Sequence, residues 1–296
     1  MRSTFQELAS HHLDSEAAST LILGDIGAHG FKTLIERHPG RAINIGIFEQ
    51  GMVSYAAGMS KSGIKPILHT IASFLVERCL EQIKVDFGYQ TLPATFVSVG
   101  ASMDYGLLGA THHAPGDVAA FGTIPGSEIW VPSTTDELKL ILPAAFSNEK
   151  LSYVRLSEKT SKSLKLNADF DGQQLLKAGS LGTLVIIGTA IIEAEPWIER
   201  LDANVLYVSR VSPFPFELLS RIHRKGTPLG IIEPYYEGTT LFLEPRIAKL
   251  GSVESKGIPR KFIRDYDSTD GHNLALGLDQ AALQKFTSRV FANLAE

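Results

Sequence analysis

Disulfide chemistry has almost no place in this sequence. One of its 296 residues is cysteine, Cys79, so no internal bridge can form and a reducing compartment is expected. Long apolar runs are also missing. None approaches the roughly 20 residues that a membrane-spanning helix needs, and the opening stretch MRSTFQELASHHLDSEAAS has no apolar signal core. Excess charge is absent as well. Charged residues make up 20% of the chain, the formal net charge is −4, and no dense Lys/Arg cluster offers a footprint for nucleic acid. These absences predict a soluble, cytoplasmic protein with neither a membrane nor a nucleic-acid partner.

What is present is core-forming material. Hydrophobic residues are 44% of the chain, enough for two α/β domains at this length. Short strand-like runs stand at 20–25, 42–48, 66–70, 94–99, 128–132 and 152–156. Several are apolar on both faces, as in strands buried within a parallel sheet. Helical spacing lies between them. In 49–62, Met52, Tyr55, Ala56 and Met59 recur at helical intervals; in 71–87, Ile71, Leu75, Cys79, Ile83 and Phe87 recur every four; and 133–148 opens with a Thr/Asp start. Strand, helix, strand in this order predicts βαβ crossovers. The polar stretch 157–180 reads as a connection. A second alternating unit follows, with strand-like runs at 183–189, 204–209, 228–233 and 261–266. The fold class is therefore α/β, two domains with mainly parallel sheets flanked by helices, divided as 1–165 and 166–296.

Three places carry possible chemistry. Glu49 ends an apolar strand-type run just as a helix begins. It is either a first-turn acid stabilised by the helix dipole or a carboxyl held in an apolar wall, where burial would favour sharing its proton with a ligand nitrogen. The stretch YGLLGATHHAPGD (105–117) interrupts the apolar chain with glycines and the pair His112 and His113. Gly106 and Gly109 would permit close backbone approach to a ligand; an ordinary surface loop is the plain alternative. The HH pair lacks the spacing of a metal site, and Asp117 adds little. GDIGAHG (24–30) matches neither GxGxxG nor a P-loop, so Asp25 reads as a turn residue at a strand end. Cys79, between Arg78 and Leu80, reads as a small core residue.

Taken in order, GIFEQGMVSYAAGMSKSG, GIKP, TIASFLVERCLEQIK and GLLGATHH resemble the pyrimidine-binding domain of the transketolase family. VIIGTA, SPFPFELL and EPYYEG resemble its C-terminal domain, so the likeness covers nearly the whole chain. The resemblance implies thiamine diphosphate as cofactor. Glu49 matches the glutamate that hydrogen-bonds N1′ of the aminopyrimidine, which favours the imino form of the 4′-amino group and so the removal of the thiazolium C2 proton. Phe74 matches the aromatic residue on the pyrimidine face, and Ile71 stands where transketolases often carry a second Phe. Asp25 matches an aspartate near the cofactor. His112 matches the substrate-touching histidine of the GPTHQ-type motif, and His113 and Leu108 flank it on the substrate side.

The family's GDG motif and following Asn pair, which hold diphosphate and metal, are missing from this chain. The resemblance thus implies half an enzyme. A second polypeptide would bring the diphosphate-binding domain and the Mg²⁺ ligands, in an α₂β₂ assembly built on a homodimer of this chain. Three substrate-side positions depart from transketolases. Leu108 replaces an aspartate that recognises a substrate hydroxyl, Glu158 stands for a phosphate-holding arginine with Lys159 beside it, and Gly100 stands for a histidine. These departures imply a sugar-type substrate other than an ordinary pentose phosphate, or a 2-oxo acid. The leading function is transfer of a two-carbon ketol unit. Decarboxylation of a 2-oxo acid with acyl transfer, as in dehydrogenase β subunits or deoxyxylulose-phosphate synthase, is the second reading. A non-catalytic subunit that kept the fold is the third.

Overall fold

The computed structural model describes residues 1–292. In chain order the strands are β1 Ser19–Leu23, β2 Ala42–Asn44, β3 Lys65–Ile71, β4 Ala94–Val99, β5 Glu128–Trp130, β6 Leu151–Arg155, β7 Gln173–Lys177, β8 Thr183–Ile187, β9 Asn204–Val208, β10 Arg210–Ser212, β11 Leu229–Tyr236 and β12 Val253–Ile258. They form a sheet of order β10-β5-β6-β4-β3-β1-β2 and another of order β12-β11-β8-β9-β7. Every pairing in the first is parallel except β10 with β5. In the second the exception is β7 with β9.

Strand periodicity sorts side chains to the two faces of the first sheet. Leu21 and Leu23 of β1 join a core with Phe5, Ala9 and Leu13 of the helix Arg2–Ser15 and with Leu138 and Leu142 of the helix Thr135–Ser147. Ile22 turns the other way, toward Met52, Val53 and Ala56 of the helix Glu49–Lys61. That second core continues without a break into Val185, Ile187, Leu206 and Val208 of the second sheet. The two units therefore share one apolar interior.

Several boundaries differ from those expected. The run 42–48 pairs only over Ala42–Asn44, because Gly46 takes φ +77° and turns the chain, leaving Ile47 and Phe48 in water. Residues 173–177, placed in the connection, form β7; as an edge strand half open to solvent it needs no continuous apolar run. Residues 261–266 are not a strand. The edge position next to β11 is taken by the more polar Val253–Ile258, and Phe262 and Tyr266 stand exposed. The helix predicted over 71–87 does bury Leu75, Cys79, Ile83 and Phe87, but Ile71 is the last residue of β3, paired with Val99, and the helical part is wound as π-helical turns at Ser73–Glu77 and Ile83–Gly88 around a short α-helical piece. The opening helix Arg2–Ser15 carried no helical expectation; Phe5, Ala9 and Leu13, spaced four apart, are what dock it.

Candidate active site

The first sheet's parallel strands deliver four chain segments to one edge: Gly24–Asp25 after β1, Glu49 after β2, Ser73–Arg78 after β3 and Gly100–His113 after β4. The carboxyl ends of parallel strands are where such folds place their ligands.

Glu49 is the first residue of its helix and is 2% exposed. It lies against the backbone of Gly24, where an added Cβ would sit 3.5 Å from Glu49 Cγ and 3.2 Å from Thr70 Cβ. Its wall is not wholly apolar, as the sequence had implied. Arg78 Nη1 donates to Glu49 Oε2 at 2.7 Å, and the same guanidinium lies 4.2 Å above the Phe74 ring. The π-helical winding makes this possible: Arg78 N–H reaches back five residues to Ser73 O, so Phe74 and Arg78 share a face. Glu49 Oε1 has no partner among the described residues. Arg78 is the candidate-site residue that the reading of the sequence passed over; its spacing of four from Phe74 was the available signal.

The Phe74 ring meets the His112 ring edge to face, centroids 5.1 Å apart. Thr111 Oγ1 lies 2.9 Å from His112 Nδ1, and Nε2 has no partner among the described residues. Loss of hydration, and then the nearby Arg78 charge, pull the His112 pKa below its ordinary value. The imidazole is thus neutral near pH 7. Cys79 is buried behind Phe74, its Sγ donating to Phe74 O at 3.3 Å; burial and then the Glu49 charge push its thiol up to about 12. It is an inert core residue, as expected.

The remaining sequence-derived residues scatter. Asp25, in the left-handed region at φ +64°, exchanges hydrogen bonds with Asn44 at 3.0 and 3.2 Å and stays at the rim. Ile71 is buried in the core that also receives Phe74. Leu108 points into solvent. His113 turns away from His112 into the second unit, buried 5.5 Å from the His272 ring. The glycines of this loop serve the same contact. A Cβ at Gly106 would lie 2.4 Å from Asp267 O, and one at Gly109 2.7 Å from the Tyr266 ring, so the second unit, not a ligand, makes the close approach expected there. Lys159 is tied to Asp270 and does not offset Glu158.

Beneath the loop, Arg155 Nε donates to Asp117 Oδ2 at 2.7 Å and Tyr153 OH donates to the same oxygen at 2.6 Å. Arg155 Nη2 adds bonds to Ser102 Oγ and Ala114 O at 2.9 and 3.0 Å. All this charge is paired and buried, so it fixes the loop on the sheet. Among the described residues no three His, Cys, Asp or Glu side chains gather to hold a metal, and no helix is long and apolar enough to cross a membrane.

The chain has known relatives. The family model of the transketolase pyrimidine-binding domain matches residues 3–162. An uncharacterized 33.6 kDa protein of the fasciation locus of Rhodococcoides fascians is 31% identical over 96% of this chain and 92% of its own length. A 6-deoxy-6-sulfo-D-fructose transketolase subunit of Clostridium sp. strain MSTE9 is 26% identical over 75% of this chain and 71% of its own. Among solved structures, a split-gene transketolase described as an inactive β₄ tetramer superposes with a TM-score of 0.80 at 19% identity, covering 98% of this chain and 97% of that one.

Proposed function

The chain belongs to the transketolase family, as its C-terminal half, and from that premise we propose that it is one subunit of a thiamine-diphosphate-dependent enzyme that transfers a two-carbon ketol unit between sugar-type substrates. The observation that carries this reading is the buried Glu49 carboxyl, with Oε2 held by Arg78 and Oε1 free, set beside Phe74 and His112. A carboxyl in such a place fits an aminopyrimidine. Oε1 would share a proton with the ring nitrogen, and the Phe74 face would pack on the ring. Thiamine diphosphate, when bound, supplies the carbon nucleophile that accepts and passes on the ketol unit. The chain's own contributions are to orient the ring, to hold a proton at Glu49 Oε1, and to offer the neutral His112 Nε2 to a substrate oxygen.

The same site is incomplete by itself. In the segments that carry Glu49 and His112, the large apolar residues Ile47, Phe48, Leu107 and Leu108 are 75%, 61%, 67% and 53% exposed. Large apolar residues left in water are what an interface covers. That fits a partner polypeptide that closes the cleft and, as the resemblance implies, brings the diphosphate site and the Mg²⁺ ligands, in an α₂β₂ complex. The names of the split-gene and subunit relatives agree with such a division.

Calorimetric titration with thiamine diphosphate and Mg²⁺ tests the proposal, on the chain alone and mixed with the candidate diphosphate-binding subunit. Tight, Mg²⁺-dependent binding in the mixture, lost in Glu49→Gln, is the expected result. A stable complex that binds no cofactor would overturn it in favour of a catalytically silent subunit.

A further inference from the structure

The loop that carries His112 is held from two sides. Its later part returns to the first unit. Thr111 O accepts from Ser73 Oγ at 3.1 Å, Ala114 N–H donates to Ser102 O at 2.9 Å, and Ala114 O accepts from Arg155 Nη2 at 3.0 Å. Its earlier part, Gly106 to Gly109, rests on the second unit. An added Cβ at Gly106 would lie 2.4 Å from Asp267 O and 2.5 Å from the His272 ring, and the Tyr266 ring covers Gly109. His113 joins the two parts. Its N–H donates to Gly109 O at 3.2 Å, its Nε2 lies 3.4 Å from Gly106 O, and its ring meets the His272 ring edge to face at 78°. His112 thus stands between Thr111, held by the first unit, and His113, held by the second.

His272 is itself firmly placed. It lies in the helix Thr269–Leu276, whose start is capped by Ser268 Oγ, accepting from Gly271 N–H at 3.1 Å. Leu276, four residues on and on the same face, enters the second unit's core. The His272 imidazole is 1% exposed, and its Nε2 has no partner among the described residues. Packing, not a hydrogen bond from that nitrogen, is what the ring gives the loop: a flat face over Gly106 and a wall for His113. We propose that His272 is a positioning residue for the reaction. From the second unit, through Gly106 and His113, it sets the loop so that His112 Nε2 faces the cleft. The second unit thereby takes part in the chemistry without touching substrate. A group displaced by about 1 Å can lose roughly 10²-fold in rate, so a contact of this kind is felt at His112. The role given to His112 rests on the ketol-transfer reading.

The test is a double-mutant cycle in the complex with the partner subunit, with β-hydroxypyruvate as ketol donor and glycolaldehyde as acceptor. His272→Ala should lower kcat/KM by roughly tenfold or more while leaving the calorimetric Kd for thiamine diphosphate unchanged. In a His112→Gln background the same substitution should cost nothing further, because the group it positions is gone. A loss of equal size in both backgrounds, or a matching loss of cofactor affinity, marks a structural residue and overturns the proposal. So does a wild-type rate in His272→Ala. His272→Leu, close in volume but without a flat ring, serves the same cycle if the alanine variant does not fold. A second readout needs no turnover. The His112 Hε1 signal of the full chain, identified by its loss in His112→Gln, should shift in His272→Leu; an unmoved signal sinks the proposal. If the wild-type complex transfers no ketol unit while that signal still moves, the ketol-transfer reading falls and the coupling of His272 to His112 stands.

Discussion

Arg78 narrows what Glu49 can do. With a guanidinium on Oε2, Oε1 is the oxygen left for a ligand nitrogen, and it is the atom at which the proposed function places the proton. Because Arg78 is itself partly exposed, the ion pair contributes about 1 kcal/mol or less to stability. Glu49→Gln should therefore melt within a few degrees of the wild type, yet lower turnover of the assembled enzyme by roughly 10²-fold or more, the scale of a lost acid–base group. A melting curve and a steady-state assay on the same preparation check both halves. Loss of hydration first, and the Arg78 charge second, disfavour the His112 imidazolium. The acid limb of kcat/KM should then lie below the ordinary histidine value of 6.5. In Arg78→Met, which removes the charge, that limb should move to higher pH; loss of the limb in His112→Gln would identify His112 as the titrating group, and a limb retained there would exclude it. Gly100 is limited by its backbone and by the Tyr105 ring above it, so Gly100→Ala should cost about 1–3 kcal/mol in urea unfolding.

At the scale of elements, loops in this molecule are held by charge buried at strand ends. Asp117 begins a short helix, Arg155 ends β6, and neither is exposed to water. Asp117→Asn leaves a buried guanidinium without its counterion and should destabilise the chain by about 3–5 kcal/mol, read from denaturant midpoints. On β11, burial lifts Glu233 from 4.5 to about 7 against the pull of hydrogen bonds from Thr240 and Gly238. Between those values the folded chain holds a proton that the unfolded chain has released. Stability must then fall as pH rises through that window and level off above it. Glu233→Gln should flatten the fall of Tm between about pH 5 and 7, which a pH series of melts would resolve. The sequence made these elements legible to different depths. The four-residue recurrence marked a buried helical face correctly from Leu75 to Phe87, because period follows from which face meets the core, but its first member, Ile71, ends strand β3. It could not mark π winding, which leaves the same residues buried. The apolar content of 261–266 suggested a strand, but the sheet edge there favours the half-polar 253–258. Edge strands lack the apolar signature that sequence reading depends on.

At the scale of the molecule, the two units are built as one. Strand β10, from the second half of the chain, closes the first sheet against β5, and Val131 N–H donates to Ser209 O at 2.7 Å. Ile129 and Val131 share a core with Val185, Ile187 and Val211. A fragment of residues 1–165 would lose that strand and bare that core. It should aggregate or melt well below the full chain, by light scattering and calorimetry; a fragment as stable as the whole would contradict the shared interior. The site belongs to this scale too. Its second half is expected from another polypeptide, and the exposed apolar residues Ile47, Phe48, Leu107 and Leu108 are where that polypeptide would land.

The sequence by itself determined the alternation of strands and helices, two mainly parallel sheets, a carboxyl at the start of the helix after β2, and membership of a family. Each of these is written in neighbours a few residues apart, as period, cap or motif. Only the tertiary structure decided what meets what. Arg78 reaches Glu49 across 29 positions, and Arg2 reaches Tyr105 across 103. His113 goes to the second unit while His112 stays with Phe74. The physical reason is that a contact depends on the path of the backbone between its two ends, and that path is fixed by the packing of the whole core.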